Sequence, residues 1–356
     1  MEAPSRFASD VADAFTNQID YCRANDAPIT GAVVAALAQL LDDGGGGAFL
    51  EAVRRWQGSA LADGLPLRCA GALHGLHLSG EEPALAPLYA GEAVNVVALL
   101  RRVLRDHAKT LLPWLDGPPQ TNEAGRSANF VAAMLWLADQ GLPATFECLE
   151  IGSSAGINLM IDRYAYDLAG VRLGPEPAVM TLSPEWKGPP PPSRPIAILP
   201  PAGCDVAPLD LGDPAQALRL KAFVWPEHHI RFARIEAAIA AAHERAPDLL
   251  RANAADFMED HLARPQVAGT TRVLMHSIVW QYVPEDQRER ITAAMEAAGA
   301  AADETHALAW IAVEADRTLM RHTLKVRYWP RRDGGEAPVL LANAHAHGAH
   351  VEWLAC

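Results

Sequence analysis

Glu150-Ile-Gly152-Ser153-Ser154-Ala155-Gly156 sets an acid just ahead of a turn made only of small residues, directly after the apolar run Phe146-Glu-Cys-Leu-Glu-Ile151. Two chemistries need that arrangement. Small side chains let a ligand approach the backbone closely, and the first N–H groups of a following helix are free to donate to it. The same residues also spell G-x-S-x-G, a nucleophile elbow that would expose Ser154 on a strained turn, with His345, His347 or His350 arriving last in the chain as its base. A tight turn that binds nothing is the third reading of the same five residues.

Other groups are spaced for chemistry. Gln120-Thr-Asn122-Glu123 and Arg126 gather amide, carboxylate and guanidinium just before a helical stretch. Thr121 or Asn122 can cap that helix and Glu123 suits its first turn, and the group equally suits a lid that contacts a carboxylate or amino group of a ligand. His345 and His347 alternate on one strand face, a spacing open to a metal, but with no acidic or cysteine partner nearby in sequence they read as a solvated hairpin end, and no metal is expected. Trp225, Trp280, Tyr282 and Trp310 read as core material. Cys22, Cys69, Cys148, Cys204 and Cys356 form no CxxC pair, which fits a reduced cytoplasm better than a disulfide framework.

The elements that must position these residues follow from periodicity. From Ser5 to about Gln140 apolar residues recur at three and four (Val33, Leu37, Leu40; Val94, Val97, Leu100; Phe130, Met134, Leu137), which predicts a helical N-terminal region over 1–140. From 141 to 356 strands alternate with helices: strand 146–151, an α-helix from Ile157 to Tyr164, a weak strand 196–205, a long helix 215–243 broken at Trp225-Pro226, and a strand 248–253. Strand 271–279, helix 284–298, strand 308–314 and a hairpin of 324–329 with 339–344 about a Gly334-Gly335 turn complete the pattern. The stretch at about 165–200, with its GPPPPSRP run, reads as an insertion. This is an α/β chain with a mostly parallel sheet and a C-terminal antiparallel hairpin.

With 356 residues and half of them hydrophobic, the chain has material for about two domains. Its formal net charge of -13, from 30 basic and 43 acidic residues, repels a polyanion, so nucleic acid is not an expected partner. No apolar run reaches the roughly 18 residues that span a bilayer, and no signal-like start is visible, so a cytoplasmic protein acting on a small molecule is expected.

The acid, one residue, then Gly-x-x-x-Gly resembles the adenosylmethionine-binding turn of class I methyltransferases. The runs LEIGSSAGINLMIDRYAYD, QTNEAGRSA, GCDVAPLDL and LKAFVWPEHHIRFARIEAAI also resemble an uncharacterised bacterial family known only as a domain of unknown function. The resemblance spans most of the chain and implies a Rossmann-like, methyltransferase-type domain behind a helical region on the lid or substrate side. It implies no reaction, because that family has none assigned; the likeness to class I methyltransferases is what implies S-adenosylmethionine held by Glu150, Gly152, Ser153, Ser154, Gly156 and Asn158, with Asp205 on the ribose hydroxyls and Asn253 and Ala254 near the adenine. It further implies that Ser277 meets cofactor, that His276 and Tyr282 stand at the reacting centre with His276 as base, and that Asn122, Glu123, Arg126 and Gln281 meet substrate. A methyltransferase acting on a small acceptor leads; a serine hydrolase using Ser154 and a non-enzymatic binding module on the same fold are the alternatives.

Overall fold

The computed structural model describes residues 6–331, 335 and 337–355. Contacts divide the chain into two compact units, one running to Thr121 and including Asp213–Ala233, the other formed by Asn122–Gly212 with the chain from Arg234 onward.

The first unit is helical. Helices Arg6–Ala24, Pro28–Asp42, Gly47–Arg54, Leu65–Leu78 and Val96–Asp106 carry the apolar periodicity read from the sequence, and Pro214–Ala222 returns to them. Proline fills the first turn of Pro28–Asp42, where a missing N–H costs nothing, and Asn95 caps Val96–Asp106 by accepting from Ala98 N at 3.0 Å. Phe15, Leu37, Leu40, Phe49, Leu73 and Leu100 fill a core from which solvent is excluded.

The second unit is a mixed α/β sheet structure. Its strands are β1 (Thr145–Ile151), β2 (Ala165–Leu168), β3 (Val171–Leu173), β4 (Thr181–Leu182), β5 (Glu185–Lys187), β6 (Ala197–Ile198) and β7 (Ala202–Asp205). They continue with β8 (Asp248–Arg251), β9 (Thr270–Ser277), β10 (His306–Asp316), β11 (Arg321–Trp329), β12 (Val339–Ala344) and β13 (His350–Trp353). The large sheet runs β5-β13-β12-β11-β10-β9-β1-β7-β8, with β6 a second short partner of β1, while β3-β2-β4 form a small sheet of their own inside the 165–200 stretch. From β8 through β10 every neighbouring pair is parallel, and from β10 through β13 every pair is antiparallel. Strand β9 is buried along its whole length, as expected for a central strand of a parallel sheet covered on both faces.

Several expectations change in detail. The stretch after the glycine turn is not an α-helix but a 3-10 segment, Ile157–Arg163, with Met160 outside helical geometry. Groups outside the segment take part of its backbone bonding: Ile157 N donates to Asn122 Oδ1 and Ile157 O accepts from Tyr164 Oη. The long helix expected over 215–243 is two, Pro214–Ala222 and His229–Glu244, parted at Trp225-Pro226 as the proline dictates. Strands β5 and β13, of three and four residues, are too short for their alternation to stand out in the sequence. Gly334 of the expected hairpin turn lies outside the described residues, as do Ser5 and Cys356.

Candidate functional site

Two polar clusters form on opposite faces of the central strands, and they divide the residues singled out in the sequence. Glu150 pairs in register with Gly203 on one side and Met275 on the other. Since alternate residues of a strand face opposite sides, the face carrying Glu150 also carries Met275 and Ser277, whereas His276 points the other way.

On the first face Glu150 is fully buried, 1 % exposed. Its Oε1 accepts from Asn158 Nδ2 at 3.0 Å, and its Oε2 is buried without a hydrogen-bond partner. Burial, only partly offset by the Asn158 amide, pushes the carboxyl up to about 7. Asn158 in turn accepts from Ser127 Oγ at 2.9 Å. Arg126, buried beside them, donates through Nε to Ala346 O at 2.8 Å and reaches Ser277 Oγ at 3.4 Å. The 120–128 motif does not cap the helix it precedes, since neither the 3-10 turn Ala124–Arg126 nor the helix Ser127–Asp139 has a side-chain cap. Asn122 Oδ1 receives Ile157 N, and Glu123, 1 % exposed, has His347 Nδ1 at 3.7 Å from its Oε1. Gly125 is a glycine because the turn at His347-Gly348 crosses it: a Cβ there would lie 2.6 Å from His347 O.

The glycine turn itself is fixed by its neighbours. Gly152 has φ +67° and faces Val279, whose Cγ2 would be 2.2 Å from a Cβ. Ser153 Oγ donates to the carbonyl of Glu150 at 3.0 Å, and Gly203 of β7 leaves that hydroxyl its room. Asp205 ends β7, the strand beside β1, and its two carboxylate oxygens accept from Ser154 N at 2.9 Å and Ala207 N at 2.8 Å. A carboxylate offers about four lone-pair sites, so two remain.

Ser154 carries the strain of an elbow, with φ +53°, but not its chemistry. Its Oγ is buried and makes no hydrogen bond, and among the described residues no histidine bonds to it. His345 and His347 stand half-buried and His350 exposed at the β12–β13 turn, and no cluster among the described residues has the composition of a metal site.

On the second face His276 is 1 % exposed and both of its ring nitrogens are engaged. Nδ1 lies 2.7 Å from Glu314 Oε1, and Nε2 accepts from Trp310 Nε1 at 2.9 Å, which fixes the proton on Nδ1. Glu314 Oε1 also takes Val279 N at 3.1 Å and Trp280 N at 3.2 Å. Burial opposes the charge on Glu314, yet His276 and these N–H groups outweigh it and hold its carboxyl below the ordinary range. Those bonds pin a turn in which Ile278 has φ +53°, an unfavourable conformation for a β-branched residue. His276 is thus an anchored core group and not a free base, and Glu314, the residue that anchors it, carried no local motif by which the sequence could have revealed it.

Four further residues singled out in the sequence have these surroundings. Tyr282 is 73 % exposed in a 3-10 turn, Trp280–Tyr282, that leads away from the end of β9, and Gln281 beside it is exposed too; neither touches the polar clusters and Tyr282 is not core. Asn253 caps helix Ala254–Ala263: its Oδ1 accepts from Asp256 N at 2.9 Å and its Nδ2 bonds the Asp256 carboxylate. Ala254 is the first residue of that helix and is buried.

No helix among the described residues is long and apolar enough to cross a membrane. Comparison with known proteins gives no significant match to a curated protein or to a solved structure. A family model does match, across residues 12–353 and so across every motif quoted above: the chain belongs to the family described as an uncharacterized protein conserved in bacteria, DUF2332.

Proposed function

We propose that the sheet unit binds an adenosyl ligand, S-adenosylmethionine or its demethylated product, at the Glu150–Gly156 turn, and that the protein is a cytoplasmic methyltransferase acting on a small acceptor. The observation that carries this reading is where the turn lies. It leaves the carboxyl end of β1, and the strand that follows β1 in the parallel order, β7, lies on one side of it while β9 lies on the other. Numbered along the chain, the five parallel strands run 3-2-1-4-5, the order whose switch point forms the nucleotide crevice of open α/β sheets.

Two details support a ligand there. Buried polar atoms are nearly always hydrogen-bonded, yet Glu150 Oε2 before the glycines and Ser154 Oγ between them have no hydrogen-bond partner among the described residues. Asp205 stands at the end of the adjacent strand with lone pairs left over, the position from which a carboxylate accepts from ribose hydroxyls. Since His276 faces away and is fully bonded, the reading assigns it no proton transfer; rate enhancement would come from alignment of acceptor and methyl group.

Calorimetric titration with adenosylmethionine and adenosylhomocysteine tests the proposal. Saturable binding is expected, weakened about tenfold in Asp205→Asn, which corresponds to about 1.4 kcal/mol. A folded sample that gives no binding heat with either compound rules the reading out.

A further inference from the structure

We infer a second small-molecule site on the opposite face of the sheet, a cleft built to hold a flat zwitterion of the aromatic amino-acid kind. It is independent of the adenosyl reading and lies wholly within the sheet unit. The cleft measures about 330 Å³, within the range of about 300–1,000 Å³ typical of ligand pockets.

Its floor follows from register. Trp310, Ala312 and Glu314 are alternate residues of β10 and share a face, and Lys325 of β11 lies directly across from Ala312. Ala312 is the small residue between two large ones, and the space above it is the cleft. Trp280 and Trp310 form an apolar corner, their ring centroids 5.3 Å apart and their planes inclined at 66°. His276 backs Trp280, stacked at 5.1 Å, and holds Trp310 by its indole N–H, so both walls are fixed before any ligand arrives.

The charges on this floor are of both signs. Glu314 spends Oε1 on three N–H donors, while Oε2 accepts from none of the described residues. A carboxylate held ionised, with one oxygen open to a cleft, suits an ammonium group. Lys325 is bound through Nζ to Asp316 at 2.8 Å, and an ammonium has three donors, so others remain for a carboxylate. Arg327 adds positive charge beside it, although it is already paired with Glu296 at 3.1 Å. An acceptor, a cationic donor and an indole corner around one small volume are complementary to an ammonium, a carboxylate and an aromatic ring carried on one molecule.

Titration calorimetry of the full chain with L-tryptophan, tryptamine and indole-3-acetate decides the matter. L-tryptophan should bind saturably, and the two analogues, each lacking one charge, at least tenfold more weakly. Ala312→Phe fills the floor without removing a charge and should abolish the heat while unfolding remains cooperative. Glu314→Gln should weaken L-tryptophan and tryptamine but spare indole-3-acetate, and Lys325→Met should weaken L-tryptophan and indole-3-acetate but spare tryptamine. No saturable heat from L-tryptophan, equal affinity for all three compounds, or unchanged binding in a folded Ala312→Phe protein would each overturn the assignment.

Discussion

Glu150 and His276 stand one register step apart on neighbouring strands, β1 and β9, yet their side chains leave opposite faces of the sheet. A single-residue offset in a strand reverses the face, so two residues that a linear reading assigns to one reaction cannot meet over one ligand. The link between the two faces is backbone: Glu314 holds the N–H groups of Val279 and Trp280, and Val279 packs against Gly152.

The Glu150 carboxyl makes stability depend on pH. Its folded value, about 7, lies above its ordinary 4.5. Below about pH 4.5 both folded and unfolded chains hold the proton and burial carries no ionic penalty. Between 4.5 and 7 the unfolded chain releases it first, so stability falls as pH rises, and above 7 the loss is complete. At about 1.4 kcal/mol per unit the effect is on the order of 3 kcal/mol. Glu150→Gln, which cannot ionise, should therefore gain stability relative to the native protein between pH 4.5 and 8, measured by urea unfolding at both values. Parallel pH profiles for the two proteins would contradict the assignment.

His276→Leu should be severely destabilising. It takes one of three donors from Glu314 Oε1 and strands the indole N–H of Trp310. Leaving a buried hydrogen-bonding group without its partner costs about 1–3 kcal/mol, and more for a charged one. Denaturant unfolding measures the loss, and increased hydrogen exchange at Val279 and Trp280 should accompany it, because their acceptor loses its own support. A variant as stable as the native chain would mean that the imidazole anchors nothing.

How much of this was legible in the sequence depended on distance along the chain. The strand and turn at Phe146–Gly156 were legible because the apolar run and the glycines are contiguous, and the helices before Asp139 because their period is local. Glu314 and Ser127 were not, since their roles exist only once β10 lies beside β9 and the Ser127–Asp139 helix begins beside Asn158. The resemblance sets Asn253 and Tyr282 beside a ligand, and each follows the end of a strand. A strand end is equally where a cap or a turn is required, and Asn253 caps a helix while Tyr282 lies exposed in a turn.

Gly125→Ala tests whether the 120–128 motif is shaped by the β12–β13 turn. A methyl group there meets the carbonyl of His347 at 2.6 Å and Arg234 Nη1 at 2.8 Å. Backbone cannot swing aside as a side-chain end can, so the cost should be about 2 kcal/mol. Calorimetric unfolding should show a lowered midpoint, and an unchanged one would mean that the turn has room to move.

Ser154→Gly separates the strained turn from a catalytic elbow. Ser154 holds φ +53°, which a glycine adopts freely, and its hydroxyl is buried with no hydrogen bond. Replacing it removes both a strained conformation and an unsatisfied polar atom, whereas the backbone N–H that Asp205 accepts stays in place. The variant should thus be more stable, by about 1 kcal/mol. The native protein should resist a fluorophosphonate probe, because no histidine among the described residues activates the hydroxyl. Covalent labelling that disappears in Ser154→Gly would restore the hydrolase reading, and a loss of stability would mean that the hydroxyl has a partner, a water or a ligand, that holds it in the folded state.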